Sequence, residues 1–193
     1  GGYIDGLLRY LSVMNHLLRH RGPDDGGVWL HHQQFVGLAH RRLSIIDLSS
    51  NASQPMTDHH GNWIVFNGEI YNYKELKQSL GATWKFKSHS DTECILAAYE
   101  RYGDSCLDHL RGMFAFAIWD ERHQRLFCAR DRFGIKPFYY CIVDGVFYFA
   151  SEAKALLPFL PDIVTDRTAL AEYLTFQYTI GEKTLFHGIT QLL

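Results

Sequence analysis

The sequence predicts an α+β fold in which two antiparallel sheets pack face to face and helices cover both outer faces, a four-layer αββα sandwich. The chain has 193 residues, and no linker rich in Pro, Ser or Gly divides it, so residues 1–193 are interpreted as one domain. Residues 113–119 and the hairpin at 138–150 are apolar on both faces, although a hairpin sheet usually keeps one face in water. Burial of both faces indicates a second sheet on one side and helices on the other.

The first third of the chain predicts a helix followed by strands. Apolar residues recur at helical spacing at Leu7, Leu11, Met14 and Leu18. Gly22 and Pro23 end this helix, whose apolar stripe is expected to lie on a sheet. Strands are predicted at residues 28–31, 34–40 and 63–66, and the last is apolar on both faces.

Two short helices come next, each opened by residues at capping-box spacing. The pairs are Asn72 with Glu75 and Ser90 with Glu93. Gly81 and Gly103 are predicted to end these helices through a left-handed residue.

The rest of the chain predicts antiparallel strands and two further helices. Asp144 and Gly145 form a hairpin signal of the type I′ class between two apolar runs. Segments 152–157 and 167–176 are predicted to be helices that supply part of the outer cover.

Composition excludes several classes of function. The 19 Lys and Arg residues against 21 Asp and Glu residues, with a pI near 6.6, provide no basic surface for nucleic acid. The longest apolar run is far shorter than the ~20 residues that cross a bilayer, and no basic and apolar leader opens the chain, so no membrane partner is predicted. The four cysteines form no C-x-x-C pair, which favours reduced thiols in the cytoplasm.

Two basic segments are candidates for ligand binding. Residues 20–27 (HRGPDDGG) combine charged side chains with a helix stop, although Gly and Pro alone explain the stop. Arg41 and Arg42 end a predicted strand, and an Arg fork matches a carboxylate with two parallel hydrogen bonds. Solvated arginines at a sheet edge are the alternative.

Two polar segments supply groups that complement an amino-acid amide. The side chain of Asn67 and the backbone N–H of Gly68 can point two donors at one oxyanion, although an Asn-Gly turn is the simpler interpretation. Glu69 and Asp91 can receive an ammonium group, while Ser90 caps the next helix. No nucleophile is evident, because the cysteines lie in apolar runs typical of core residues.

Seven motifs together resemble the N-terminal glutaminase domain of glutamine-hydrolysing asparagine synthetases. They are HRGPDDGG, AHRRLSIIDLS followed by QPM, FNGEIYNYKELK, SHSDTECILAAYERYG, LRGMFAFAIWD, ARDRFGIKPFYY and FASEAKALL. The match covers nearly the whole chain in the family's order.

The resemblance implies an N-terminal-nucleophile hydrolase fold and class II glutamine amidotransfer. In such enzymes a cysteine exposed at the N-terminus attacks the side-chain amide of glutamine and releases ammonia. The implied oxyanion hole is Asn67 and Gly68, and the implied ammonium acceptors are Glu69 and Asp91. Arg42 is implied to bind the substrate carboxylate. The pocket around it is implied to include backbone groups of Leu43, Ser44, Ile45 and Ile46, with Arg21 and Asp24 ordering the nearby loop.

The sequence departs from the family pattern at both ends. It begins Gly1-Gly2-Tyr3 where relatives begin with Cys-Gly-Ile, so we expect Gly1 to lie a few residues inside the natural start and the chain alone to be inactive. At the other end it stops before the synthetase domain, to which ATP, Mg²⁺ and aspartate chemistry belong. This domain is expected to need no cofactor and no metal, since adjacent histidines on a strand point to opposite faces. The histidine pairs in question are His31 with His32 and His59 with His60.

The resemblance leaves alternatives for function and assembly. The domain supplies ammonia for aspartate amidation, serves another acceptor, or is a non-catalytic scaffold that kept a glutamine-shaped pocket. Glutamine and the synthetase domain of the same polypeptide are the expected partners, and a homodimer is left open.

Overall fold

A computed structural model describes residues 2–22, 25–33, 35–42 and 53–193. Within these ranges the helices are α1 Gly2–Leu17, α2 Tyr73–Leu80, α3 Asp91–Tyr102 and α4 Arg167–Phe176. The strands are β1 Asp25–Leu30, β2 Gly37–Arg42, β3 Met56–Thr57, β4 Trp63–Ile70, β5 Gly112–Asp120, β6 Arg125–Arg130, β7 Tyr139–Val143, β8 Val146–Ala150 and β9 Thr190–Gln191. Short 3-10 segments lie at Arg19–Arg21, Gly103–Asp108, Ala153–Ala155 and Leu157–Phe159.

The strands form two stacked antiparallel sheets and a separate hairpin. One sheet has the order β3-β4-β5-β6 and the other β8-β7-β9, while β1 and β2 form a two-stranded sheet. Between the two sheets, Val65 and Trp119 of the first lie in one apolar cluster with Phe138 and the partly buried Phe149 of the second. Strand β5 is therefore buried on both faces, as its sequence predicts. The prediction is wrong for the hairpin at 138–150, where Ile142, Val146 and Phe147 are exposed.

Helical elements cover both outer faces of this pair of sheets. On one side, α2 and α3 pack on the even-numbered residues of β4, such as Ile64 and Phe66. On the other side, Met14 and Leu17 of α1 pack with Cys141 of β7 and with Leu156. The four-layer αββα prediction is confirmed, and the β1-β2 hairpin is an addition to it.

Two of the predicted helix signals have other roles in the structure. The side chain of Asn72 makes no cap and instead bonds the carbonyl of His109 and the N–H of Arg111. Gly81 ends α2 in a right-handed conformation, so the left-handed prediction is wrong there. Gly103 has the positive φ that was predicted, +59°, but its ψ of −137° lies outside the left-handed helical region. The cause at Asn72 is tertiary, because a loop distant in sequence supplies better partners for its amide.

The second capping pair is confirmed in part. Ser90 is the N-cap of α3 and accepts from the N–H of Thr92. Glu93 does not reach the N–H of Ser90. It accepts instead from the backbone N–H groups of Lys87 and Ser88, at 2.8 Å each, and so fixes the loop that precedes the helix.

The predicted turn at 144–145 is confirmed, and the predicted outer cover near the C-terminus is only partly so. Asp144 and Gly145 both have positive φ, 50° and 76°, as a type I′ turn requires. Segment 152–157 forms 3-10 turns rather than a full helix. Helix α4 forms where predicted, but of its residues Ala169 is the one that is buried, and Leu174 is 75% exposed. Helix α4 therefore leaves an apolar face uncovered.

None of the helices in the described ranges is both long and apolar enough to span a membrane.

Candidate active site

The site is built on strand β4, whose backbone alternates between two hydrogen-bonding edges. Gly68 lies opposite Phe114 of β5, but the N–H and C=O of Phe114 bond Asp131 on the far side. The pair is therefore of the non-hydrogen-bonded kind, and the N–H of Gly68 points away from β5. The N–H groups of Phe66 and Ile70 point to the same edge, and both are bonded there by side chains.

On that edge of β4, Gly68 is the residue whose backbone N–H has no acceptor among the described residues. The N–H of Phe66 donates to Oε1 of Gln54 at 2.6 Å, and that of Ile70 donates to Oδ2 of Asp91 at 3.0 Å. Among the described residues, no acceptor bonds the N–H of Gly68. Its donor is available to a ligand.

Only glycine fits at this position. Gly68 has φ +152°, and a Cβ atom there would lie 2.1 Å from the carbonyl oxygen of Met113. Any side chain would therefore push β4 away from β5 and displace the free N–H. The glycine of the motif is therefore needed to keep β4 against β5 and its own N–H in place.

Asn67 supplies a second unbonded donor beside the first. Its side chain lies on the face of β4 that carries Val65, toward the second sheet. The atom Nδ2 is buried and has no hydrogen-bond partner within the described part of the chain. A buried amide without a partner costs about 1–3 kcal/mol, so its presence here indicates a place for a ligand atom.

Both donors line a large cavity between the two sheets. Its volume is about 1190 Å³, and its walls are largely apolar side chains of both sheets and of α1. The polar groups that enter it include Asn67, Gly68, Glu69 and Asp91. The structure thus brings four of the predicted site residues to one wall of one cavity.

The two acids of this wall differ in their surroundings. Asp91 begins α3, is 7% exposed and accepts from the N–H of Ile70. Burial raises the pKa of Asp91 above its ordinary value, despite the backbone hydrogen bonds that oppose this, and the nearby charge of Glu69 adds to the rise. A cation between the two carboxylates would stabilise the charged form of Asp91 against burial and would offset its repulsion by Glu69.

Gln54 and His40 hold the strand that presents the donors, and the sequence analysis missed both. Gln54 accepts from Phe66 and donates to Oγ1 of Thr92 at 3.3 Å, linking β4 to the start of α3. His40 of β2 contacts the carbonyl oxygen of Phe66 at 3.2 Å through Nε2. Their positions within the motifs AHRR and QPM were the only available signal.

The loop after α1 is tied to the end of β8 by an ionic cluster that the sequence analysis also missed. Glu152 is 2.9 Å from Nε2 of His20 and 3.1 Å from both Nη1 of Arg21 and Nζ of Lys154. Burial opposes ionisation of this carboxyl, but these hydrogen bonds outweigh it and hold the pKa of Glu152 below its ordinary value. Arg21 thus contacts the segment after β8, and its role in ordering the loop near the nucleophile stays a prediction.

Part of the predicted pocket lies outside the described residues. Arg42 is the last residue of β2, opposite Asp25, but its side chain is outside the description, as is Asp24. The residues predicted to line the same pocket, Leu43, Ser44, Ile45 and Ile46, also fall there. The neighbouring Arg41 lines the cavity and donates through Nε to the carbonyl of Gly22 at 2.9 Å.

The four cysteines have the core positions that the sequence predicts. All are free thiols, and Cys94, Cys106 and Cys141 are buried. Burial raises the pKa of Cys94, Cys106 and Cys128 to about 12. Thiols with such pKa values are poor nucleophiles at neutral pH.

Two unbonded donors on adjacent residues of one cavity, with a pair of acids nearby, can stabilise the oxyanion formed when an amide of an amino acid is attacked. The fold matches a solved enzyme with this architecture, glutamine phosphoribosylpyrophosphate (PRPP) amidotransferase from B. subtilis, at a TM-score of 0.65 and 21% identity over 77% of this chain and 40% of that one. The likeness concerns the fold alone and agrees with an α+β architecture of two packed antiparallel sheets.

The sequence comparison defines the family. Residues 5–193 match the model of the glutamine amidotransferase domain, and the chain belongs to that family.

The curated relatives are longer proteins. Asparagine synthetase [glutamine-hydrolyzing] 1 of Bacillus subtilis (strain 168) is 47% identical over 91% of this chain and 28% of its own length. The synthetase numbered 3 from the same organism is 43% identical over 84% of the chain and 27% of that protein. Amidase chry2 of Gibberella zeae is 47% identical over 74% of the chain and 22% of its length. The chain thus spans between about a fifth and a third of these relatives.

Proposed function

We propose that this chain is the glutaminase domain of an asparagine synthetase, which hydrolyses glutamine to glutamate and ammonia for the amidation of aspartate by an ATP-dependent domain. The observation that carries the proposal is the buried, unbonded Nδ2 of Asn67 beside the free N–H of Gly68. Membership of the glutamine amidotransferase family supports it. The cytoplasm is the expected location.

The oxyanion hole acts when the side-chain amide of glutamine is attacked. A thiolate adds to the amide carbon, the carbonyl oxygen takes the negative charge, and the two N–H donors stabilise it. The C–N bond then breaks, the nitrogen leaves as ammonia with the proton that the thiol gave to the α-amine before the attack, and a thioester is formed. Water hydrolyses the thioester to glutamate and restores the thiol.

The nucleophile in this proposal is an N-terminal cysteine of the natural polypeptide. The four cysteines of the chain are unsuited to the role, because burial raises the pKa of Cys94, Cys106 and Cys128 to about 12 and Cys141 is 2% exposed. A terminal cysteine has its own α-amine as a base. The cavity between the sheets is large enough to admit such a terminus next to Asn67.

The rest of the substrate is held by charge. The ammonium group lies against Glu69 and Asp91, where burial and mutual repulsion of the two acids already favour a bound cation. Arg42 receives the α-carboxylate through two parallel hydrogen bonds, with residues 43–46 beside it. This part of the site is a proposal from the sequence motif.

The synthetase domain is proposed to dock against the C-terminal segment 163–180. Its exposed large apolar side chains are Ile163, Val164, Leu170, Tyr173, Leu174, Phe176, Tyr178 and Ile180. A group of this size is unusual on a monomer surface and is typical of an interface. ATP and Mg²⁺ would bind in that domain.

A substrate other than aspartate is also supported as the acceptor of the ammonia. Two fungal relatives are named amidases, chry2 at 47% and chyE of Penicillium rubens at 44% identity. The ammonia could therefore serve an acceptor other than aspartate. Incubating the natural polypeptide with glutamine, ATP and either aspartate or another carboxylate, and identifying the amide formed, separates the two.

The test of the glutaminase proposal is the variant Asn67→Ala in the natural polypeptide. Glutamate release should fall by about 10²-fold or more, since that is the usual effect of losing one oxyanion donor. Gln78→Ala on the exposed face of α2 is the control and should keep the full rate. Full activity of Asn67→Ala would overturn the proposed role.

The position of the substrate is tested by a crystal structure with glutamate. We expect the α-carboxylate within hydrogen-bond reach of Arg42 and the ammonium between Glu69 and Asp91. Arg42→Ala should abolish retention of the ligand. Unchanged affinity would remove Arg42 from the site.

A further inference from the structure

A second group of side chains, at the end of β5 away from the partner of Asn67, has the composition of a metal site. Ligand atoms of His31, His32 and Glu121 all lie within 4.8 Å of one another. It is the one such group of three or more potential metal ligands among the described residues. None of the three residues takes part in the proposed glutamine chemistry.

The sequence argument against paired histidines fails here. Adjacent residues of a strand point to opposite faces, but β1 ends at Leu30 and His31 and His32 lie in the turn that follows. Their rings are on the same side, with centroids 4.1 Å apart. The histidine pair His59 and His60 is likewise in a turn, with centroids 4.0 Å apart.

The geometry is close to that of a bound cation. Nε2 of His31 is 3.4 Å from Oε1 of Glu121, and two ligand atoms of a tetrahedral zinc ion, each about 2.1 Å from the metal, lie about 3.4 Å apart. His31 is 2% exposed, whereas His32 is exposed. The site thus has one buried ligand and one side open to solvent, through which an ion can enter.

Glu121 is oriented by a neighbour. Nε1 of Trp119 donates to Oε2 of Glu121 at 2.7 Å, and this bond holds the pKa of the carboxyl below its ordinary value. Carboxylates that bind metals are usually fixed by such an outer hydrogen bond. Oε1 of Glu121 has a long contact of 3.4 Å with Nε2 of His31, which an ion between the two atoms would replace.

We propose that His31, His32 and Glu121 bind a divalent transition-metal ion of the zinc class, with water in the fourth position. Two imidazoles and one carboxylate are a ligand set that zinc accepts. Without metal, Nδ1 of His31 accepts from the N–H of Gln33 at 3.2 Å, which places the ring proton on Nε2. On binding, the ring proton is carried on Nδ1, and the N–H of the exposed Gln33 turns to water.

The ion would join two parts of the molecule. His31 and His32 belong to the turn between β1 and β2, and Glu121 follows β5 in the larger sheet. A metal bridging them fixes the separate hairpin to that sheet. Because β2 also carries His40, which contacts β4, the ion stabilises the layer beside the glutamine site without entering it.

The test is titration of the chelator-treated protein with Zn²⁺, followed by calorimetry. We expect one saturable site per chain, and His32→Ala or Glu121→Gln should weaken it at least about tenfold. Both positions are at least partly exposed, so the variants should fold.

His59→Ala is the matched control. His59 and His60 form a similar stacked pair, and His60 is 3.1 Å from Glu100, but they do not form a group of three potential ligands. This variant should bind Zn²⁺ as the wild type does. Imidazole NMR signals of His31 and His32 should shift together with one equivalent of Zn²⁺. The absence of a saturable site, or His32→Ala binding with unchanged affinity, would overturn the proposal.

Discussion

Two polar segments lie on opposite edges of the larger sheet, and they differ in whether their N–H donors have acceptors. At Asp131, one buried carboxylate accepts from the N–H groups of Phe114, Phe133, Ile135 and Lys136. At β4, Asn67 and Gly68 offer donors that no described residue accepts. Both segments belong to the same packed sheet, yet the donors of the first are all bonded and those of the second are not.

The difference separates stability from ligand binding. A network whose members are all bonded stabilises the fold, whereas a buried donor without a partner costs stability until a ligand supplies one. Burial opposes ionisation of Asp131, but its backbone hydrogen bonds outweigh this and hold the pKa of the carboxyl below its ordinary value. Substitutions in the two segments should therefore have effects of different kinds.

The largest effect on stability is expected at Asp131. Asp131→Ala leaves up to four backbone N–H groups without an acceptor, so the free energy of unfolding should fall by about 4 kcal/mol. Urea unfolding monitored by circular dichroism measures it. The exposed Asp162 is the control, and Asp162→Ala should change stability by less than about 0.5 kcal/mol. A loss below about 1 kcal/mol at Asp131 would contradict the closed network.

The next effect is steric. Gly68→Ala places a Cβ atom 2.1 Å from the carbonyl oxygen of Met113, and the unfolding free energy should fall by about 3 kcal/mol. Gly145→Ala is the matched comparison, because Gly145 also has positive φ, +76°, in the turn after β7, but nothing lies within 4 Å of its Cβ position. Its cost should be about 1 kcal/mol. Equal costs at the two sites would show that β4 can shift.

Asn67→Ala should act in the opposite direction from Asp131→Ala. Removing a buried amide that has no partner should leave stability unchanged or raise it by up to about 1 kcal/mol. Asn62 is the matched control, because its amide is buried and bonded to Asp58 and to the N–H of Glu121. Asn62→Ala should lower stability by about 2 kcal/mol. A comparable loss at Asn67 would mean that its amide has an internal partner.

The smallest effect is a change in pH dependence at Asp91. Burial raises the pKa of this carboxyl in the folded protein above 3.8, so the folded state keeps the proton to higher pH than the unfolded state does. Its contribution to stability is present at low pH and is lost as the pH rises through the raised pKa. Unfolding at a series of pH values should show that loss in the wild type and not in Asp91→Asn. Parallel profiles would contradict it.

The sequence determined the layers of this fold because local patterns carry them. Strands apolar on both faces require cover on both faces, and the Asp144-Gly145 turn is specified by two residues that accept positive φ. The residues of the candidate site could be predicted from the motif Asn67-Gly68-Glu69 and from Asp91. Few residue types can donate to an oxyanion or accept from an ammonium group. Arg42 and residues 43–46 stay predictions.

Only the tertiary structure decided which donors are free and which are used. Asn72 and Asn67 are the same residue type near strand and helix ends, but the first is bonded to His109 and Arg111 and the second is left open. The side of the turn on which His31 and His32 lie is decided in the same way. A sequence lists which polar groups exist, whereas their bonding depends on neighbours that come from distant parts of the chain.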